Sequence, residues 1–83
     1  MTERIINAER IEQLISVFGS FDENIRQIED AFQVSIANRG TELKIAGDEL
    51  AADQGARAIE GLMALAAKGE VIDEQKVRYL IDL

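Results

Sequence analysis

The chain has 83 residues, a formal net charge of −7 and no Cys or His, which excludes disulfides, thiolate metal sites and imidazole chemistry. Its length fits one domain with a single modest core, burying roughly 60–65% of the surface its unfolded form exposes. Seven Asp/Glu and four Lys/Arg fall in residues 1–40, and nine and five in residues 41–83, so neither half is a basic arm or an acidic tail. A field of this sign repels phosphate and leaves nucleic-acid binding to a few local Arg and to backbone N–H groups.

Arg4-Ile5-Ile6-Asn7 is a short β-branched run that reads as an edge strand. From about Ala8 the period changes. Ile11, Leu14, Ile15 and Phe18 fall at i, i+3, i+4 and i+7 and predict one apolar helix face. Gly19 is placed to end that helix as a left-handed C′ residue. Asp22 is placed as the N-cap of a helix over 22–32, with Ile25, Ile28 and Phe32 inward and Arg26, Gln27, Glu29 and Asp30 outward.

Val34 and Ile36 alternate with Ser35 and Ala37 as a half-buried strand. Arg39-Gly40-Thr41-Glu42 predicts a hairpin turn, and Leu43 to Ala46 the return strand. Gly47-Asp48 is expected to cap a long helix from Glu49 to Lys68, with Ala52, Gly55, Ala56, Ile59, Leu62, Met63 and Ala66 on its apolar face. The small residues at its start point to a close approach to the sheet. Gly69 stops it, and Asp73 caps a last helix, Glu74 to Asp82, with Val77, Leu80 and Ile81 inward.

The expected fold is therefore α+β, a three-stranded antiparallel sheet packed by helices, in the order β-α-α-β-β-α plus a C-terminal helix. That order is the plan of a KH-type nucleic-acid-binding module. The loop Gly19-Ser20-Phe21-Asp22, opening directly into a helix, stands where such a module grips a phosphate backbone. The second glycine of the Gly-x-x-Gly pattern is replaced by Asp22, and Phe21 brings an apolar ring. The alternative is a capped turn that merely joins two helices.

Candidate nucleic-acid contacts are the backbone from Gly19 through Ser20 to Phe21, with Arg26, Arg39 and Lys44 assisting. Each of these cations is also explained as a solvated surface charge near acids. Tyr79 and Leu80 on the last helix are candidate interface residues of a protein–protein or homo-oligomerisation module. Acid pairs at helix starts complement the helix dipole without requiring a metal. No nucleophile–base pair and no G-x-x-x-x-G-K-[ST] pattern occurs, so no catalytic, cofactor or metal residue is assigned and the chain by itself is not expected to be an enzyme.

The string Leu14 to Asp48, the Ala-rich helix, the Lys68-Gly69-Glu70 break and Val77-Arg78-Tyr79 together resemble the N-terminal region of PhoH-like proteins. The landmarks are Phe18-Gly19, Asp22-Glu23-Asn24, the Arg39-Gly40 turn, Gly47-Asp48 and the exit helix, covering Leu14 to Leu83. The resemblance implies a cytoplasmic, phosphate-starvation-related bacterial protein linked to RNA metabolism. It also implies an ATPase domain, with its ATP and Mg, beyond Leu83, where the chain is expected to continue because it ends in a helix without a C-cap. On that reading residues 1–83 are one KH-like accessory domain whose partners are its own ATPase domain and single-stranded RNA.

Overall fold

A computed structural model describes residues 1–19 and 22–83. Seven elements follow one another: β1 (Thr2–Asn7), α1 (Ile11–Phe18), α2 (Glu23–Phe32), β2 (Ser35–Arg39), β3 (Glu42–Gly47), α3 (Glu49–Ala67) and α4 (Glu74–Asp82). The strands form one three-stranded antiparallel sheet, as the α+β reading expects, and their order across it is β1-β3-β2. The long return strand β3 is central, and its alternation is the cleanest of the three: Leu43 and Ile45 are fully buried while Lys44 between them is exposed.

Register carries that alternation across the sheet. Ile45 lies opposite Arg4 and Ile36, and Leu43 opposite Ile6 and Asn38. These residues make the inner face. Lys44 lies opposite Ile5 and Ala37, and Glu42 opposite Asn7 and Arg39, so this second set forms the outer face, away from the helices. The hairpin turns through Gly40-Thr41, with Gly40 at φ 58 as a tight turn requires.

The long helix α3 lies across the inner face of β1 and β3. Ala52, Gly55 and Ala56 are buried at its start. A methyl group at Gly55 would stand in ordinary contact with the sheet side, 3.5 Å from Ile45 Cγ2 and Val34 Cγ2. The core gathers Leu14, Val17, Ile25, Ile28, Leu43, Ile45, Ile59, Leu62 and Val77. At the far end, Asp73 caps α4 as expected, accepting the Lys76 N–H at 2.9 Å.

Expectations about α1, about the helix caps and about Glu29 are corrected. The first helix begins at Ile11, because Ala8 still belongs to the sheet end through its N–H to Thr41 O at 2.8 Å. Its buried residues are Leu14 and Val17, while Ile11 and Ile15 are 46% and 65% exposed. An eight-residue helix meets α3 along one narrow seam, and the seam runs through 14, 17 and 18 rather than through 11 and 15.

Asp22 does not cap α2 with its side chain. It sits at φ 59, ψ 26, whereas a capping side chain needs an extended residue to reach the helix N–H groups. Asp48 is extended but also makes no side-chain cap bond; its carbonyl accepts the Ala52 N–H at 2.7 Å. Glu29 is not a solvent-facing residue of α2: it is half-buried, and its carboxylate accepts the Ile36 N–H at 2.8 Å.

Candidate nucleic-acid interface

The joint between α1 and α2 is built on Gly19. Its N–H closes α1 on Ile15 O at 3.2 Å, and its own carbonyl accepts the Asp22 N–H at 3.3 Å. Gly19 has φ 77 as expected for a glycine stop, but ψ −177, so it is extended rather than left-handed helical. Only glycine enters that region readily. Ser20 and Phe21, the middle of the proposed phosphate-gripping loop, lie outside the described residues.

Asp22 itself takes the left-handed conformation, which a glycine would adopt without strain. The backbone of the fourth loop position is therefore glycine-like although its side chain is an acid. Beneath the joint lies Asn24, 5% exposed, with no hydrogen-bond partner for Nδ2 among the described residues. A Cβ at Gly19 would stand 2.7 Å from that nitrogen, so glycine is required here by space as well as by backbone angle.

The cations divide between two layers. Arg26 is exposed on α2, three residues before Glu29, and so points to the side of the helix that borders the β2 edge. Acids surround it in sequence: Asp22, Glu23, Glu29 and Asp30. No carboxylate among the described residues comes within ion-pair distance of it. Arg39 and Lys44 stand together on the outer sheet face, lining a shallow depression with Ala37 and Glu42. Lys44 is engaged by Glu3 at 3.5 Å. The structure thus joins Arg39 to Lys44 but leaves Arg26 with the helices and Gly19 at the end of α1.

On α4, Tyr79 is 64% exposed, whereas Leu80 is half-buried over Gly61 of α3. Of the pair, only the Tyr79 ring is presented to solvent. Among the described residues no cluster of three or more carboxylates is arranged to hold a metal ion, and no helix is long and apolar enough to cross a membrane.

Sequence reasoning missed two polar residues that shape this region. Glu29 follows Ile28 directly, and a carboxylate bordering an apolar stripe next to a coming strand is the signal that it sits at a packed edge. Asn24 precedes Ile25 in the same way, and its small amide fits under a glycine.

The chain matches no protein-family model, no curated protein and no solved structure.

Proposed function

We propose that this chain is a KH-like accessory module of a PhoH-like ATP-binding protein, in which it positions single-stranded RNA for the ATPase domain or docks against it. The carrying observation is the joint at Gly19: a glycine at positive φ ends α1 and opens into α2. Around it stands the order β-α-α-β-β-α, closed into a β1-β3-β2 sheet. Backbone N–H groups at such a joint suit a phosphate, since the start of α2 has no side-chain cap bond from Asp22. Arg26 lies in the first turns of the same helix and is free of ion pairs among the described residues. Arg39 and Lys44 add two cations on the outer sheet face, set among Glu3 and Glu42.

Charge limits the strength of such binding. A chain at −7 repels a polyanion as a whole, so the affinity rests on few contacts and is modest. Fluorescence anisotropy with short single-stranded RNA tests it. The expected result is binding that weakens as salt rises and is abolished by Arg26→Glu with Arg39→Glu. An affinity unchanged in that double variant overturns the assignment of these residues. The parentage has its own test: an open coding frame beyond Leu83 that carries G-x-x-x-x-G-K-[ST] supports it, and a stop codon there overturns it.

A further inference from the structure

The two edges of the sheet are treated differently. At β2, the N–H of Ile36 points outward and is taken by the Glu29 carboxylate at 2.8 Å. That direction fixes the rest of the pattern. If Ile36 points away from β3, its antiparallel neighbour Ile45 points away from β2 and toward β1. Arg4, opposite Ile45, then points toward β3, and Glu3, Ile5 and Asn7 turn their N–H and C=O groups to the outside. Among the described residues no side chain hydrogen-bonds those outward groups.

This edge has no bulge to turn it away, since its register against β3 runs unbroken from Thr2 to Asn7. β1 has no Pro, and both of its charges are spent within the chain: Arg4 on Asp53 of α3 at 2.5 Å, and Glu3 on Lys44 of β3 at 3.5 Å. After them Ile5 stands 55% exposed on the outer face. A flat six-residue edge whose charges are paired within the chain, with an exposed isoleucine at its middle, is a template for strand addition.

We propose that β1 pairs antiparallel with β1 of a second copy of this chain, joining two sheets into one of six strands. The sequence of β1 is complementary to itself in the register that centres on Ile5 and pairs residues 3–7; centring on Ile6 would pair only residues 5–7 of the strand. With Ile5 on the two-fold axis, Ile5 meets Ile5, Glu3 meets Asn7 and Arg4 meets Ile6, so no like charges are opposed. The outward backbone groups of residues 3, 5 and 7 then bond in matched pairs. The neighbouring register sets Arg4 against Arg4 and strands Ile5 beside Glu3, which disfavours it. Because β1 and β2 are opposite edges, the dimer leaves the β2 edge, which α2 and Glu29 border, free. The proposal does not depend on RNA binding.

Sedimentation across a range of protein concentrations is the test. A single short edge makes a small interface, so the expected result is a monomer–dimer equilibrium in the micromolar range. Screening the repulsion between two copies of charge −7 makes it tighter at higher salt. Ile5→Lys weakens the dimer at least about tenfold. Ile5→Pro does the same while circular dichroism stays native, because the N–H it removes serves no bond within the chain. Tyr79→Glu leaves the dimer intact. A chain that stays monomeric at its highest soluble concentration overturns the proposal and leaves the edge to a strand of another protein. So does a dimer that survives both Ile5 variants, or one that is lost only with Tyr79→Glu. If Ile5→Pro does not fold, Ile5→Lys, at an exposed side chain, decides alone.

Discussion

The Glu29 carboxylate of α2 accepts the N–H of Ile36 at the outer edge of β2, 2.8 Å away. One side chain thereby ties helix to strand and takes up one outward N–H of that sheet edge. Removing it with Glu29→Ala leaves the Ile36 N–H to water and loses a charge-assisted bond at a half-buried site, a cost of about 1 kcal/mol. In a domain of this size that lowers Tm by about 4–8 °C. Glu29→Gln keeps an acceptor and recovers most of the loss. Amide exchange at Ile36 should quicken in the alanine variant alone. An Ile36 amide that exchanges at the same rate in both would show that the bond does not hold the edge.

Asp22 occupies a left-handed conformation without a capping bond to repay it. Asp22→Gly relieves backbone strain of about 1 kcal/mol and returns part of it as extra freedom of the unfolded chain, for a net gain of about 0.5 kcal/mol. The same change takes a carboxylate away from the proposed phosphate site. RNA affinity should rise several-fold, and Asp22→Asn, which tolerates the same conformation, should raise it by a similar factor. Anisotropy titrations of the three proteins separate charge from backbone: a gain confined to Asp22→Gly would assign the effect to the loop backbone.

The seven elements were legible because their signals were local. Gly40 marked the hairpin, the alternation of Leu43 and Ile45 marked the central strand, and the small residues Ala52, Gly55 and Ala56 marked the buried face of α3. What was not legible depended on a second element. Ile15 matches a helical stripe as well as Val17 does, and only the seam that α1 makes with α3 decides between them. Nothing in the sequence around Glu29 names Ile36 as its partner, and nothing around Arg4 names Asp53, 49 positions away. Of the candidate site, the sequence placed Gly19 at a helix joint but could not show that Arg39 and Lys44 share the outer face while Arg26 belongs to the helical layer.

Gly19 and Asn24 should prove energetically coupled. Gly19→Ala forces a side chain into a glycine-only backbone region and against Asn24 Nδ2, 2.7 Å from the new methyl, at a combined cost of about 2 kcal/mol. Asn24→Ala alone removes a buried amide nitrogen that lacks a partner among the described residues, and should cost less than about 1 kcal/mol. In the Asn24→Ala background, Gly19→Ala should recover about 1 kcal/mol, leaving only the backbone strain. Denaturant unfolding of the four proteins measures the coupling. Strict additivity would mean that Asn24 is not what excludes a side chain at position 19.

Gly61 in α3 stands in the same relation to Leu80 of α4. A Cβ at Gly61 would overlap Leu80 Cδ1 and come within 3.2 Å of its Cγ, so α4 rides directly on the glycine backbone. Two effects then oppose each other in Gly61→Ala. Alanine favours the helix by roughly 0.5–1 kcal/mol, but the methyl must push Leu80 aside. Leu80 is half-buried and packs on the core, so displacing it loosens the docking of the whole terminal helix. The expected outcome is a net loss of about 1 kcal/mol, with amide exchange quickened in α4 and unchanged in α3. In a Leu80→Ala background the obstacle is gone, and Gly61→Ala should become stabilising by the helix-propensity amount. A substitution that stabilises in both backgrounds would mean that Leu80 moves freely and that Gly61 has no part in seating α4.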